Sequence, residues 1–292
     1  MTSTGPEGGD CVLLYSGGTD STCAAALMAE KFTGVHLLSF YQGKKKEVTG
    51  VGDTIRALQG RFKGVRFLHQ VLPTTDLVKF ISYSDYLGCL GRHGWLVLST
   101  PGFTTLSWHV TAIAYCMKNG VHSVADGLTR ELMHFPGHID EVISVFKKLY
   151  ADFGITYTNP VRDWEVPSDQ QFIDRLIVDP HGYFFPSEET REKKNTTTGR
   201  YLCELGIMPH PNVKGSPMDH KMQYDCYPFV LYNIMAFWIY LNFQPYEFFC
   251  WRMRELFEEK AGQMRALLRE YTVKGGNSRL SKLLGESWKS SA

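Results

Sequence analysis

Ser16-Gly17-Gly18-Thr19-Asp20-Ser21 packs three hydroxyls, two glycines and one carboxylate into six consecutive positions. The run Cys11–Tyr15 before it is apolar, and the pattern from Ser21 to Phe32 after it has helical spacing. A strand that turns on glycine into a helix start leaves several backbone N–H groups without intrahelical partners and pointing one way. The helix dipole adds positive potential there, so the turn is a seat for phosphate. Gly17 and Gly18 permit positive φ and close backbone approach, while Ser16, Thr19 and Ser21 can donate hydroxyl hydrogen bonds. A carboxylate among phosphates repels them unless it helps to hold a cation such as Mg²⁺, which makes Asp20 the odd member of the turn.

The elements that position this turn read as alternating strand and helix. Strands are expected at Cys11–Ser16, Val35–Tyr41, Val65–Leu72, Val121–Ala125 and Ile155–Thr158. Helices are expected at Ser21–Phe32, Val51–Phe62, about Asp76–Tyr86, Leu106–Lys118 and Ile139–Phe153. That alternation predicts an α/β fold, a doubly wound parallel five-stranded sheet covered by helices on both faces. Ligands of such sheets sit at the carboxyl ends of the strands, where Ser16–Asp20, Phe40–Gln42 and Asp126–Thr129 can converge. After Pro160 the pattern changes to a mainly helical region over 161–292, and residues 1–10 read as a disordered N-terminus before a core domain over 11–160. Within the later region a helix is expected at Asp169–Ile177. The loop that follows carries Arg191, Lys193 and Lys194, which suit either a solvated surface or a lid over phosphates.

Composition narrows the class. The 292 residues are 43% hydrophobic, enough for a sizeable core, and the formal net charge of +1 argues against a protein that coats nucleic acid. Seven scattered cysteines without a CxxC pair argue against a secreted disulfide framework and fit a cytoplasmic location. Met1–Asp10 lacks the pattern of a signal peptide. Phe229–Trp251 is strongly apolar, but Asn233, Asn242, Gln244, Pro245 and Glu247 interrupt it. It reads as a buried helix or a homodimer interface, not as a membrane span.

Neither GxxxxGK(S/T) nor GxGxxG occurs, so the P-loop and dinucleotide fingerprints do not apply. The sequence SGGTDS directly after an N-terminal strand resembles the PP-loop of the N-type ATP pyrophosphatases, in the adenine nucleotide alpha-hydrolase-like superfamily. That family includes GMP synthetase, asparagine synthetase, argininosuccinate synthetase and tRNA thiolation enzymes. The helix Leu106–Gly120 and the Asn159-Pro160 turn look most like its sulfur-inserting branch. The resemblance covers about Cys11–Pro160 and implies binding of ATP with Mg²⁺. Tyr15, Ser16, Gly17, Gly18, Thr19, Asp20 and Ser21 would contact the phosphates, Ser39 and Phe40 the adenine, and Asp126, Gly127 and Thr129 the far side of the nucleotide. Asp20 and Asp126 would be the metal ligands.

The chemistry so implied is transfer of AMP to a carbonyl oxygen with release of pyrophosphate, after which sulfur or nitrogen replaces the activated oxygen. Sulfur-inserting relatives generally carry a cysteine near the position of Thr104–Thr105, which this chain lacks. The remaining candidates are Cys226, ahead of a helix start with His210 and His220 near in sequence, and Cys89, in what reads as a flexible glycine-flanked loop. A zinc site from Cys89, Cys226 and a histidine has no supporting ligand spacing. Arg130, His134, His138, Arg162 and Asp163 are candidate substrate contacts, and Lys44–Lys46 a candidate polyphosphate attractor, each with a structural alternative. The leading expectation is thiolation of a small nucleobase-like or amide substrate, with a sulfur or ammonia donor protein as partner. The alternatives are tRNA thiolation, amide or C–N ligation, and a non-catalytic nucleotide-binding protein. Near-neutral charge weighs against a nucleic-acid partner.

Overall fold

A computed structural model describes residues 8–43, 50–130, 134–165, 194–213, 232, 234–285 and 288. Five strands, β1 (Asp10–Leu14), β2 (Gly34–Tyr41), β3 (Arg66–Pro73), β4 (Ser123–Asp126) and β5 (Thr156–Thr158), form one parallel sheet in the order β3-β2-β1-β4-β5. Side chains alternate across it: Cys11, Leu13, Val35 and Leu37 enter one core, Val12 and Leu38 the other. Burial on both faces is what makes these strands read as continuous apolar runs.

The first core is closed by α1 (Thr19–Ala29) and α2 (Gly50–Arg61). In α1, Ala24, Ala25, Ala26 and Ala29 are buried, so small side chains that favour helix also let the helix lie close on the sheet. The second core is closed by α3 (Thr75–Tyr83), α4 (Tyr86–His93), α5 (Thr100–Asn119) and α6 (Asp140–Ala151). The region after Pro160 serves both cores. Leu202 of α7 (Thr198–Glu204) packs beside α1, while α8 (Tyr246–Lys274) and α9 (Arg279–Leu284) cover the opposite face through Met253, Leu256, Phe257 and Leu280.

Three local readings are corrected. The segment around Cys89 is the helix α4, not a flexible loop, because Cys89 and His93 bury against α8 despite Gly88 and Gly91. Helix α5 begins six residues before Leu106, at Thr100. Gly102 hid that start, since glycine is a poor helix former. Its bare backbone is required by packing: a Cβ there would lie 2.6 Å from Pro136 Cβ and 2.7 Å from Phe257 Cζ. Beyond Pro160 a short parallel pair, β6 (Trp164–Glu165) with β7 (Lys194–Thr197), joins the helices. The helix expected at Asp169–Ile177 and the N-terminal residues 1–7 lie outside the described residues. Among the described residues no helix is long and apolar enough to cross a membrane. In the apolar stretch, Ile234–Leu241 is a π-helix with Met235 and Ala236 buried, and Phe249 and Cys250 open α8 toward the core.

One buried group predicts the acid response of the fold. His109 of α5 is fully buried among the rings of Phe146, Tyr150 and Tyr157, with Nδ1 3.1 Å from the Tyr150 hydroxyl. Burial disfavours its charged form and pushes its pKa down to about 3. An unfolded histidine gains a proton below about 6.5, so between that pH and the folded value the unfolded chain binds more protons. Stability therefore falls by up to about 1.4 kcal/mol per pH unit across that window as pH is lowered. His109→Gln, which keeps a partner for Tyr150, is expected to flatten the slope in urea melts at pH 7, 5.5 and 4.5. Parallel curves for variant and wild type would remove His109 as its source.

Candidate functional site

The strand order places a topological switch between β1 and β4: the chain leaves β1 toward β2 on one side and returns through β4 on the other. Open parallel sheets bind ligands in the crevice at the carboxyl ends of two such strands. Leu14 and Asp126 are register partners there, so the turn after β1 and the turn after β4 emerge side by side.

The turn after β1 is tied up by its own polar groups. The Gly18 amide donates to Ser16 Oγ at 3.3 Å, Ser21 Oγ donates to the Gly18 carbonyl at 3.0 Å, and the Ser16 and Ser21 hydroxyls lie 3.0 Å apart. Gly17 has φ +88°, the left-handed region that favours glycine, whereas Gly18 at φ −70° does not use that freedom. Ser16 is exposed at the mouth of the turn. The Tyr15 side chain is buried, with its hydroxyl 3.2 Å from Thr22 Oγ1, so Tyr15 offers the site its backbone. The Thr19 hydroxyl is buried with no hydrogen-bond partner among the described residues, and Thr19 Cγ2 lies 3.6 Å from where a Cβ on Gly199 would be.

From the β4 side, Gly127 closes directly on this turn. A Cβ on Gly127 would fall 2.5 Å from Ser21 N, 2.6 Å from Ser21 Cα and 2.7 Å from the Asp20 carbonyl carbon. Only glycine lets the two turns meet so closely. Asp126 beside it is buried, and its carboxylate accepts hydrogen bonds from the Leu128 amide at 3.1 Å, from Asn159 Nδ2 at 2.9 Å and from the Tyr157 hydroxyl. Burial raises its pKa, against the lowering effect of those donors and of Arg162. Both oxygens of Asp126 are thus engaged by protein donors.

The β2 side supplies a ring platform. Ser39 Oγ donates to the Tyr15 carbonyl at 2.8 Å, linking β2 to the turn, and lies 2.9 Å from His69 Nε2. Phe40 stacks on Trp108 of α5, centroids 5.8 Å apart with planes 10° from parallel. Gln42 Nε2 donates to Thr104 Oγ1 at 2.9 Å, which sets Thr104 at the end of β2.

Other sequence candidates hold the frame. Arg162 is buried and donates to the Thr129 carbonyl at 2.7 Å, to the His138 carbonyl and to Asp140 Oδ1 at 3.0 Å. Arg130 bridges Asp163 at 2.7 Å and Asp140 at 2.9 Å. Together they brace the loop after β4, of which His134 is a buried member. Among the described cysteines, Cys11, Cys23, Cys89, Cys116 and Cys250 are buried, Cys203 is half-buried, and burial pushes the thiols of Cys11, Cys116 and Cys250 up to about 12. The Cys89 thiol is also raised, chiefly by burial. His210 is exposed. Cys226, His220, Lys44–Lys46, Arg191 and Lys193 lie outside the described residues.

Sequence reasoning missed Thr198 and Trp108. Thr198 Oγ1, in the first turn of α7, donates to Asp20 Oδ1 at 2.6 Å, bringing the later region onto the turn. Its only sequence signal was Thr197-Thr198-Gly199 at a helix start, where Thr197 caps Arg200. Trp108 was legible as part of a helical pattern, but its stacking on Phe40 was not.

No family model matches the chain, and no curated protein matches it. A solved structure of the U34-tRNA thiolase NcsA from Methanococcus maripaludis with its 4Fe-4S cluster is similar over 89% of this chain and 74% of that chain, at 10% identity and a TM-score of 0.33. A likeness at that score does not decide the fold, which rests on the strand order given above. In its SGGTDS turn, its parallel five-stranded sheet and the meeting of the two turns at the switch point, the chain resembles the PP-loop, adenine nucleotide alpha-hydrolase-like proteins.

Proposed function

We propose that the chain is an ATP-dependent enzyme that transfers AMP to a carbonyl oxygen, releases pyrophosphate, and then replaces that oxygen. The observation that carries this reading is the seating of Gly127 on the backbone of Asp20 and Ser21, which makes one glycine-walled cradle at the switch point. Backbone N–H groups at the start of α1 would face the departing pyrophosphate, and Ser16 at the mouth would add a hydroxyl. The half-buried Phe40–Trp108 pair offers adenine a flat apolar edge.

The donor set suits Mg²⁺ on Asp20, whose Oδ1 is oriented by Thr198. It suits Mg²⁺ less on Asp126, which is buried and whose pKa burial raises, away from the ionised form a cation needs. When bound, the ion would neutralise phosphate charge. Asp126 then acts by holding the β4 turn so that Gly127 stays against α1.

For the incoming atom we take sulfur carried by Cys226 as the first reading, on a small nucleobase-like or amide substrate, with tRNA as the alternative substrate. The burial and raised thiols of Cys11, Cys89, Cys116 and Cys250 favour a second reading, attack by ammonia or an amine, which needs no cysteine. Pyrophosphate release from ATP with Mg²⁺ and candidate carbonyl substrates tests the class. ATP binding without release under any substrate would make the chain a nucleotide-binding protein instead. Mass spectrometry of cell metabolites and RNA with and without the gene separates an O-to-S from an O-to-NH change. Full product formation by Cys226→Ser would remove Cys226 from the mechanism.

A further inference from the structure

Away from the switch point, Cys89 and His93 stand four residues apart on α4 and so share one helix face, toward Glu259 of α8. One ligand atom from each of the three residues lies within 4.8 Å of the other two. Cys89 and His93 are buried, and Glu259 is partly so. His93 Nε2 is 2.9 Å from Glu259 Oε2, and His93 Nδ1 is buried without a hydrogen-bond partner among the described residues. Arg92 holds the carboxylate as a fork, Nε to Oε2 at 2.9 Å and Nη2 to Oε1 at 2.7 Å, and is itself held by Asp85 at 2.6 Å.

We propose that Cys89, His93 and Glu259 bind one Zn²⁺ ion through the thiolate, an imidazole nitrogen and a carboxylate oxygen, clasping α4 to α8. A mixed sulfur, nitrogen and oxygen set is zinc chemistry, whereas Ca²⁺ and Mg²⁺ take oxygen ligands. Zinc bond lengths of about 2.0–2.3 Å put tetrahedral ligands roughly 3.3–3.8 Å apart. Ligand atoms within 4.8 Å of one another therefore close by at most about 1.5 Å, and His93 Nε2 and Glu259 Oε2, 2.9 Å apart, open slightly if both ligate. On binding, the Cys89 thiol gives its proton to solvent, and water completes the fourth position. Arg92 and Asp85 form the outer shell that orients the carboxylate, as ligating carboxylates require. The neighbouring Lys260 does not compete for Glu259, since its ammonium donates to the Ile81 carbonyl at 2.8 Å and lies over the Phe103 ring. The site ties the first part of the chain to the helix that covers its sheet, independently of what the SGGTDS turn binds.

The test uses the full chain, purified, dialysed against excess zinc and then against buffer, with metal counted by plasma mass spectrometry. About one zinc per chain is expected in wild type and in the Cys203→Ser control, with loss to background in Cys89→Ser and in His93→Gln. Titration with Co²⁺ guards against a variant that merely misfolds, because it reads the wild-type chain directly. A thiolate-to-cobalt charge-transfer band in the near ultraviolet supports the assignment. No stoichiometric zinc in wild type, no such band, or full retention by Cys89→Ser would overturn it and leave an ion-paired knot of Arg92, His93 and Glu259.

Discussion

Asp20→Asn is expected to lower pyrophosphate release from ATP by about 10²–10³-fold while the chain stays folded. Asp20 sits in the first turn of α1, and Thr198 donates to its Oδ1 at 2.6 Å. Asparagine keeps an oxygen for that bond, so the tie between α1 and α7 survives. What disappears is the negative charge, and with it the means of holding a cation beside polyphosphate. Rates measured across a Mg²⁺ series should show the variant's loss shrinking only at high metal. Wild-type turnover by Asp20→Asn at low Mg²⁺ would remove Asp20 from any metal role. Thr198→Val makes the complementary comparison, since it keeps the charge and deletes the hydroxyl that orients it.

Gly127→Ala is expected to cost about 100-fold in the same assay, with weaker ATP binding and a loss of about 1–3 kcal/mol in stability. The added methyl would meet backbone atoms of Asp20 and Ser21 at 2.5–2.7 Å, and backbone cannot rotate out of the way as a side chain can. Either the end of β4 or the start of α1 must shift, and a displacement of about 1 Å at a positioned reactant costs roughly 10²-fold. Gly60→Ala in α2 is the matching control, because a Cβ there meets nothing within 4 Å among the described residues. Urea melts separate the two effects. An alanine variant with wild-type kinetics would show that the two turns move independently, and the single-cradle reading would fall.

Much of this frame was legible in the residues because its signals are local. Apolar runs marked β1 to β5, the Gly-Gly turn and alanine-rich α1 followed at once, and Asn119-Gly120 closed α5 with φ +66° at Gly120. Such features depend on backbone geometry within a few residues, so spacing reveals them. Element starts were less legible where packing overrode propensity, as at Gly102 in α5 and at Gly88 and Gly91 in α4. A glycine that packing requires reads in sequence like one that breaks a helix.

By itself the sequence determined a strand, a glycine turn and a helix start able to seat phosphate, set in an α/β chain. Only the tertiary structure decided what closes that turn. Thr198 reaches Asp20 across 178 positions, Gly127 meets Ser21 because β4 pairs with β1, and Trp108 meets Phe40 because α5 crosses the end of β2. The same holds for Glu259, brought to Cys89 and His93 when α8 folds back over the sheet. These contacts arise from strand order and helix packing, which join residues by shape over long separations and leave no fixed spacing in the chain.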